Sequence, residues 1–201
     1  MGLVGARWGV ASSRIIPSPI GPLELESDGS ALTAIRFRPR VRPEARGAPE
    51  EPNGSSPGDQ PAQPEADQIL EAAALQLGEY FAGSRVVFDL PTRITGTPFQ
   101  LAVWAALTEI PYGERASYSA IAVAVGRPTA ARAVGAACRS NPLPIVVPCH
   151  RVVGADGSLT GYAGGAAAKS TLLRLEARTL EAHGSTAVGD DSAAGPVRRR
   201  R

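Results

Sequence analysis

S-Y-S-A-I-A-V-A-V-G-R-P-T-A-A-R-A-V-G-A-A-C-R, residues 117 to 139, holds two short helical runs on either side of a glycine turn. Ser117 is the kind of residue that caps a helix, Gly126-Arg127-Pro128 turns the chain, and Thr129 opens the second run. Two short helices around such a turn have the helix-turn-helix outline. The second run carries almost no bulk: Ala130, Ala131, Ala133, Gly135, Ala136 and Ala137 leave Arg132 and Arg139 as its only long side chains. Small residues suit a helix that must lie close against another backbone. Two readings stand at this point: approach to an outside partner, or tight packing on a neighbouring helix.

Working outward, T-P-F-Q at residues 97 to 100 predicts a helix start, with Thr97 as cap, Pro98 in the first turn and Gln100 closing a capping box. Phe99, Val103, Trp104 and Leu107 form its apolar stripe, and Pro111-Tyr112-Gly113 ends it. Nearer the N-terminus, apolar and polar residues alternate from Gly21 to Phe37 around Asp28-Gly29, a hairpin signal. Ile69, Ala73, Leu77 and Phe81 repeat every four residues and predict an amphipathic helix stopped near Gly83; Val86 to Leu90 reads as a short strand. This first unit, residues 13–91, shows no catalytic group and reads as support. Between its hairpin and helix, residues 39–66 are dense in Pro, Glu, Gly and Gln and predict a flexible insertion. The first dozen residues are expected to be loose, and residues 183–201 to form a disordered tail ending in Arg198 to Arg201.

The 201 residues have room for a sizeable core, and no apolar run approaches the roughly 20 residues that cross a bilayer. No secretory signal is visible, and Ala6 stands where a myristoylation pattern needs Ser or Thr. Two cysteines make neither a disulfide framework nor a zinc cluster, so a cytoplasmic protein is expected. The formal charge of +2 identifies no partner by itself. From Thr92 to Arg178, however, nine basic residues face only four acidic ones, Glu109, Glu114, Asp156 and Glu176. That balance fits a phosphate-binding surface or ordinary solvated charge.

V-V-P-C-H-R-V-V-G, residues 146 to 154, sets Cys149 between Pro148 and His150. A thiolate, not a thiol, is the nucleophile, and a neighbouring base can lower a cysteine's pKa. On an extended chain Cys149 and His150 point to opposite faces, so a water bridge or a bend at Pro148 is required. His150 also needs an orienting carboxylate, and Glu176 on the following helix is the best placed in sequence. The alternative is a buried, inert cysteine.

P-C-H-R followed by V-V-G-A-D-G-S-L-T-G-Y-A-G-G resembles the active-site signature of the O6-alkylguanine-DNA alkyltransferases, the methylated-DNA–protein-cysteine methyltransferases. The likeness extends through G-T-P-F-Q-L-A-V-W, I-P-Y-G-E, A-A-R-A-V-G-A-A and R-S-N-P-L-P-I, and S-P-I-G-P-L at Ser18 to Leu23 is similar to the family's opening strand. The resemblance implies an α+β fold: a small ribonuclease H-like α/β domain, then a winged helix-turn-helix-like domain over residues 92–182.

It also implies roles. Cys149 is the alkyl acceptor, His150 the base through a water, and Glu176 polarises His150. Asn141 ties the end of the DNA-binding helix to the active-site strand. Tyr118 donates a proton to the departing guanine and presses on the backbone phosphate. Arg132 enters the duplex where the flipped base has left, and Arg139, Thr129, Ala130 and Ala133 belong to the same DNA face. Pro144, Val152, Tyr162, Ala163, Gly164 and Lys169 surround the substrate pocket. The implied reaction is irreversible and stoichiometric, with no metal, nucleotide or methyl-donor cofactor. Its partner is double-stranded DNA containing O6-alkylguanine; O4-alkylthymine and cooperative binding along DNA stay open, and the protein is expected to be a monomer in solution. Cys138 is expected to pack quietly. A thiol hydrolase would differ by turning over, and a helix-turn-helix regulator would have no need for P-C-H-R.

Overall fold

The computed structural model describes residues 12–39 and 64–186. Residues 1–11, most of the Pro/Glu/Gly-rich insertion and the arginine tail lie outside the described residues. The insertion ends earlier than expected, because Pro64 already opens a helix, and the last helix runs on past residue 182 to Thr186.

The N-terminal unit is an antiparallel sheet in the order β1 (Ser12–Ile16), β2 (Leu23–Ser27), β3 (Leu32–Phe37). The hairpin turns where predicted. Asp28 Oδ1 accepts from the backbone N–H groups of Ser30 and Ala31, and Gly29 takes the positive φ of 86° that its turn requires. Ser18 to Pro22 is the turn between β1 and β2, not the opening strand; that strand is Ser12–Ile16.

Helix α1 (Pro64–Ala82) packs on β1 and β2 through Leu70, Ala73, Leu77 and Tyr80. The expected stripe is rotated: Ile69 and Phe81 are only partly buried. A strict four-residue series drifts around a helix of 3.6 residues per turn, whereas 3-4-3 spacing stays on one face. Val86 to Leu90 forms no strand. The backbone of Asp89 is bracketed instead by the Gln76 side chain, at 2.7 Å to its carbonyl and 2.8 Å from its N–H. Val87, 70% exposed, has no sheet face to bury.

The second unit begins with α2 (Pro98–Thr108), whose Thr97–Gln100 capping box is complete. Val103, Trp104 and Leu107 are buried, and Phe99 is half-buried. Trp104 Nε1 donates to the Ala137 carbonyl at 2.9 Å, fastening α2 to α4. Strand β4 (Ala116–Ser117) leads into α3 (Tyr118–Ala124), capped by Ser117, and after the Gly126 turn into α4 (Ala131–Arg139). Thr129 lies in that turn, not in the helix, and Ala130 is the cap residue, with no side-chain cap bond. Strand β5 (Val152–Val153) pairs parallel with β4 and so ties the helix-turn-helix to the segment after Cys149. Helix α5 (Gly165–Thr186) closes the fold. One cluster of buried apolar residues runs from Ile16 to Leu172, so both units share a core.

Candidate active site and nucleic-acid interface

Asn141 starts the site. Its Nδ2 donates to the Val147 carbonyl at 2.8 Å and to Cys149 Sγ at 3.1 Å, while its Oδ1 accepts from Leu143 N–H at 3.0 Å. One buried amide therefore joins the end of α4 to the sulfur. The intervening loop holds Ile145 at φ 79°, the single non-glycine residue with positive φ among the described residues. A β-branched residue there is strained by about 1–3 kcal/mol, held in place by surrounding structure.

The chain bends at Pro148 into a 3₁₀ turn, Cys149–Arg151, rather than continuing extended. His150 Nε2 lies 2.9 Å from Glu176 Oε1, both groups fully buried. Donation of Nε2–H to that carboxylate leaves Nδ1 as the acceptor nitrogen. Nδ1 is buried and has no hydrogen-bond partner among the described residues. Burial holds the imidazole below its ordinary pKa, against the upward pull of Glu176, so it is neutral and able to accept a proton. Burial likewise raises the Cys149 thiol, while the Asn141 hydrogen bond and the charge of Lys169 pull the other way. Burial therefore opposes the lowering that the neighbours of Cys149 in sequence suggest, and the neutral imidazole of the next residue is the base at hand.

Glu176 collects donors from three directions. Arg151 donates through Nε at 3.0 Å to Oε2 and through Nη2 at 2.9 Å to Oε1; Gly113 N–H reaches Oε2 at 3.0 Å. Tyr80 donates to Oε1 at 2.8 Å. Burial alone would raise the carboxyl, but the hydrogen bonds and charges of His150 and Arg151 outweigh it and bring it down to about 2. Arg151 also donates to the Ile110 carbonyl at 2.7 Å. Sequence reasoning assigned no role to Tyr80 or Arg151. Arg151 stood in the quoted motif, but Tyr80 lies 70 residues before His150 and carried no local signal.

On the outer side, Tyr118 Oη donates to the Thr160 carbonyl at 2.8 Å, and the fully buried Lys169 Nζ reaches the same carbonyl at 3.1 Å. Burial first, then the neighbouring cysteines, push the Tyr118 phenol up to about 12, so it keeps its proton. Tyr118 lines a cleft of about 580 Å³ with Ala131, Arg132, Gly135, Ala136 and Arg139 of α4 and the Thr160–Gly161 loop. Arg132, Ala133, Ala136 and Arg139 are exposed, whereas Val134, Ala137 and Cys138 face the core. The bulk-free surface of α4 thus faces outward, which favours an outside partner over helix packing.

The expected pocket residues divide. Pro144 and Ala163 line a second cleft of about 450 Å³ with Asn141, Ile35, Arg36 and Phe37. Val152 and Lys169 are wholly buried and line neither cleft, and Cys149 lies beneath the surface. Tyr162 is buried, its hydroxyl has no hydrogen-bond partner among the described residues, and its ring lies 6.4 Å from that of His150. Gly164 meets Phe37: a Cβ there would stand 2.7 Å from the ring, and Phe37 packs edge-on to Tyr162 at 5.5 Å. Among the described residues no group of His, Cys, Asp and Glu has the arrangement of a metal site.

Residues 13–94 match the ribonuclease-like domain of 6-O-methylguanine DNA methyltransferase, and residues 98–178 match its DNA binding domain. The methylated-DNA–protein-cysteine methyltransferase of Mycobacterium tuberculosis is 46% identical over 163 residues, 81% of this chain and 90% of its own length. The chain belongs to this methyltransferase family. A family relative from Methanosarcina barkeri is 44% identical over 167 residues, 83% of this chain and 97% of its own. A crystal structure of the M. tuberculosis family member OGT in complex with DNA superposes with a TM-score of 0.67 at 45% identity, covering 83% of this chain and 93% of that one. The exposed face of α4 belongs to the segment that matches the family's DNA binding domain.

Proposed function

We propose that the chain repairs DNA by direct reversal, moving an alkyl group from O6-alkylguanine in duplex DNA to Cys149. The observation that carries this reading is the buried His150–Glu176 pair directly after the cysteine, with His150 Nδ1 left as an unpartnered acceptor. His150 takes the thiol proton, Glu176 stabilises the imidazolium, and sulfur attacks the alkyl carbon. The carbon–O6 bond breaks and its electron pair goes to guanine, which Tyr118 protonates. His150 then restores the Tyr118 proton by way of solvent, so that guanine ends with the thiol's proton and the protein with the alkyl group. The thioether has no easy hydrolysis, so each molecule reacts once.

A base inside a duplex is out of reach and must be flipped out, at a few kcal/mol of lost stacking. Arg132 fills the gap, and Ala133, Ala136 and Gly135 let α4 approach the minor groove, with Arg139, Thr129 and Ala130 beside them. Pro144, Tyr162, Ala163 and Gly164 shape the space for the extruded base, backed by Val152 and Lys169. Residues 92–182 form the acceptor unit and 13–91 its support, acting as a monomer in solution.

Intact-mass spectrometry after incubation with O6-methylguanine duplex tests this. The expected gain is one methyl group per molecule, absent from Cys149→Ala, which still binds the duplex. Methyl gain by that variant would move the acceptor to Cys138, and many lesions repaired per molecule would end the reading.

A further inference from the structure

We propose that Tyr80, from the N-terminal unit, is a positioning residue of the His150–Glu176 relay and sets the basicity of His150. The inference rests on the reading of Cys149 as acceptor and adds a residue from outside the acceptor unit.

Tyr80 is fully buried on α1. Its ring is enclosed by Phe81, Phe88 and Tyr112, with centroids 5.5, 5.5 and 6.0 Å away. Phenylalanine would satisfy such surroundings, and burying a hydroxyl is unfavourable unless it is bonded. The hydroxyl has one strong partner, Glu176 Oε1 at 2.8 Å, and stands 3.4 Å from His150 Nε2. Tyr80 and His150 therefore converge on one carboxylate oxygen. Burial, and then the charge of Glu176, raise the phenol pKa, so Tyr80 is a permanent donor and no rival for the thiol proton.

A donor on Oε1 does two things. It fixes the carboxylate plane, so that His150 meets it with Nε2–H and leaves Nδ1 as the acceptor without a partner among the described residues. It also draws off part of the negative charge that would otherwise strengthen the imidazolium. The other groups that bear on His150 are Arg151 beside it, Lys169 on α5 and the Tyr162 ring. Among the described residues, Tyr80 and Arg151 alone share Oε1 with the imidazole.

Tyr80→Phe keeps the ring and removes the bond. In the full chain with saturating O6-methylguanine duplex, single-turnover transfer should slow roughly tenfold, the scale of one hydrogen bond to a charged group. The acid limb of its pH–rate profile should move to higher pH, because the less-shared carboxylate makes His150 more basic. Replacing Tyr80 with 3-fluorotyrosine, a stronger donor, should move the limb the opposite way. In a Glu176→Gln background Tyr80→Phe should cost nothing further. An unmoved limb in both Tyr80 variants, or a loss that adds fully to that of Glu176→Gln, overturns the proposal. An NMR titration of His150 gives the same shifts without any reaction. Absence of methyl gain by the parent protein would count against the acceptor reading, while an unchanged His150 midpoint would count against Tyr80.

Discussion

Replacing Glu176 by Gln removes one charge and almost no volume. The carboxyl sits at about 2 against an ordinary 4.5. At about 1.4 kcal/mol per pKa unit, that difference is about 3 kcal/mol of folding stability at neutral pH. The size agrees with the roughly 3–5 kcal/mol lost when one member of a buried ion pair is removed. The amide also faces a mismatch, since Oε2 receives Arg151 Nε and Gly113 N–H while Oε1 receives Tyr80, His150 and Arg151. Whichever side the NH₂ takes, it points at donors. Because the folded-state pKa is depressed, the contribution is complete above pH 4.5 and is lost as the pH falls through 2. Urea unfolding at several pH values should show Glu176→Gln less stable than the parent by about 3 kcal/mol at pH 7, narrowing to about 1 kcal/mol at pH 3. Acid-sensitive groups away from Glu176 are common to both proteins and cancel to first order, whereas the buried His150 loses the upward pull of the carboxylate in the variant, which works against the narrowing. No gap at neutral pH, or a gap that stays constant into acid, would refute the charge argument.

Arg132→Ala should slow repair of duplex DNA far more than reaction with free O6-benzylguanine, measured by single-turnover assays on both; equal losses would remove the intercalating role. Gly161→Ala places a methyl 2.9 Å from Tyr118 Oη at a φ of 77°; stability should fall by about 1–2 kcal/mol and transfer should slow, and parent-like kinetics would contradict the placement of Tyr118. Trp104→Phe removes one of two donors to the Ala137 carbonyl, which keeps the Ser140 hydroxyl at 3.2 Å, so urea unfolding should register a loss of about 0.5–1.5 kcal/mol.

Much of the acceptor unit was legible because its signals are local. Thr97 and Gln100 spell a capping box within four positions, and the bulk-free run of α4 shows its small face in the residues themselves. Glu176 was legible as the best placed of few carboxylates, and the resemblance gave it the same role, although 26 residues separate it from His150. Tyr80 and Phe37 were hidden for a different reason: their partners belong to the other unit, and no periodicity records contacts between units. Val86 to Leu90 misled because β-branched residues mimic a strand, while the backbone there is satisfied by the Gln76 side chain. The burial around the thiol had no local signal, and it opposes the ionisation that the neighbours of Cys149 in sequence favour.

Phe37 belongs to a strand with no reacting group, yet its ring abuts Gly164 and Tyr162 beside the base. On the proposed reading, the space for the extruded base is thus partly framed from outside the reacting centre. Trimming that aromatic would give the loop room to recede and admit larger adducts, while leaving sulfur, imidazole and carboxylate untouched. Substrate tolerance can therefore evolve in the scaffold at little risk to the chemistry.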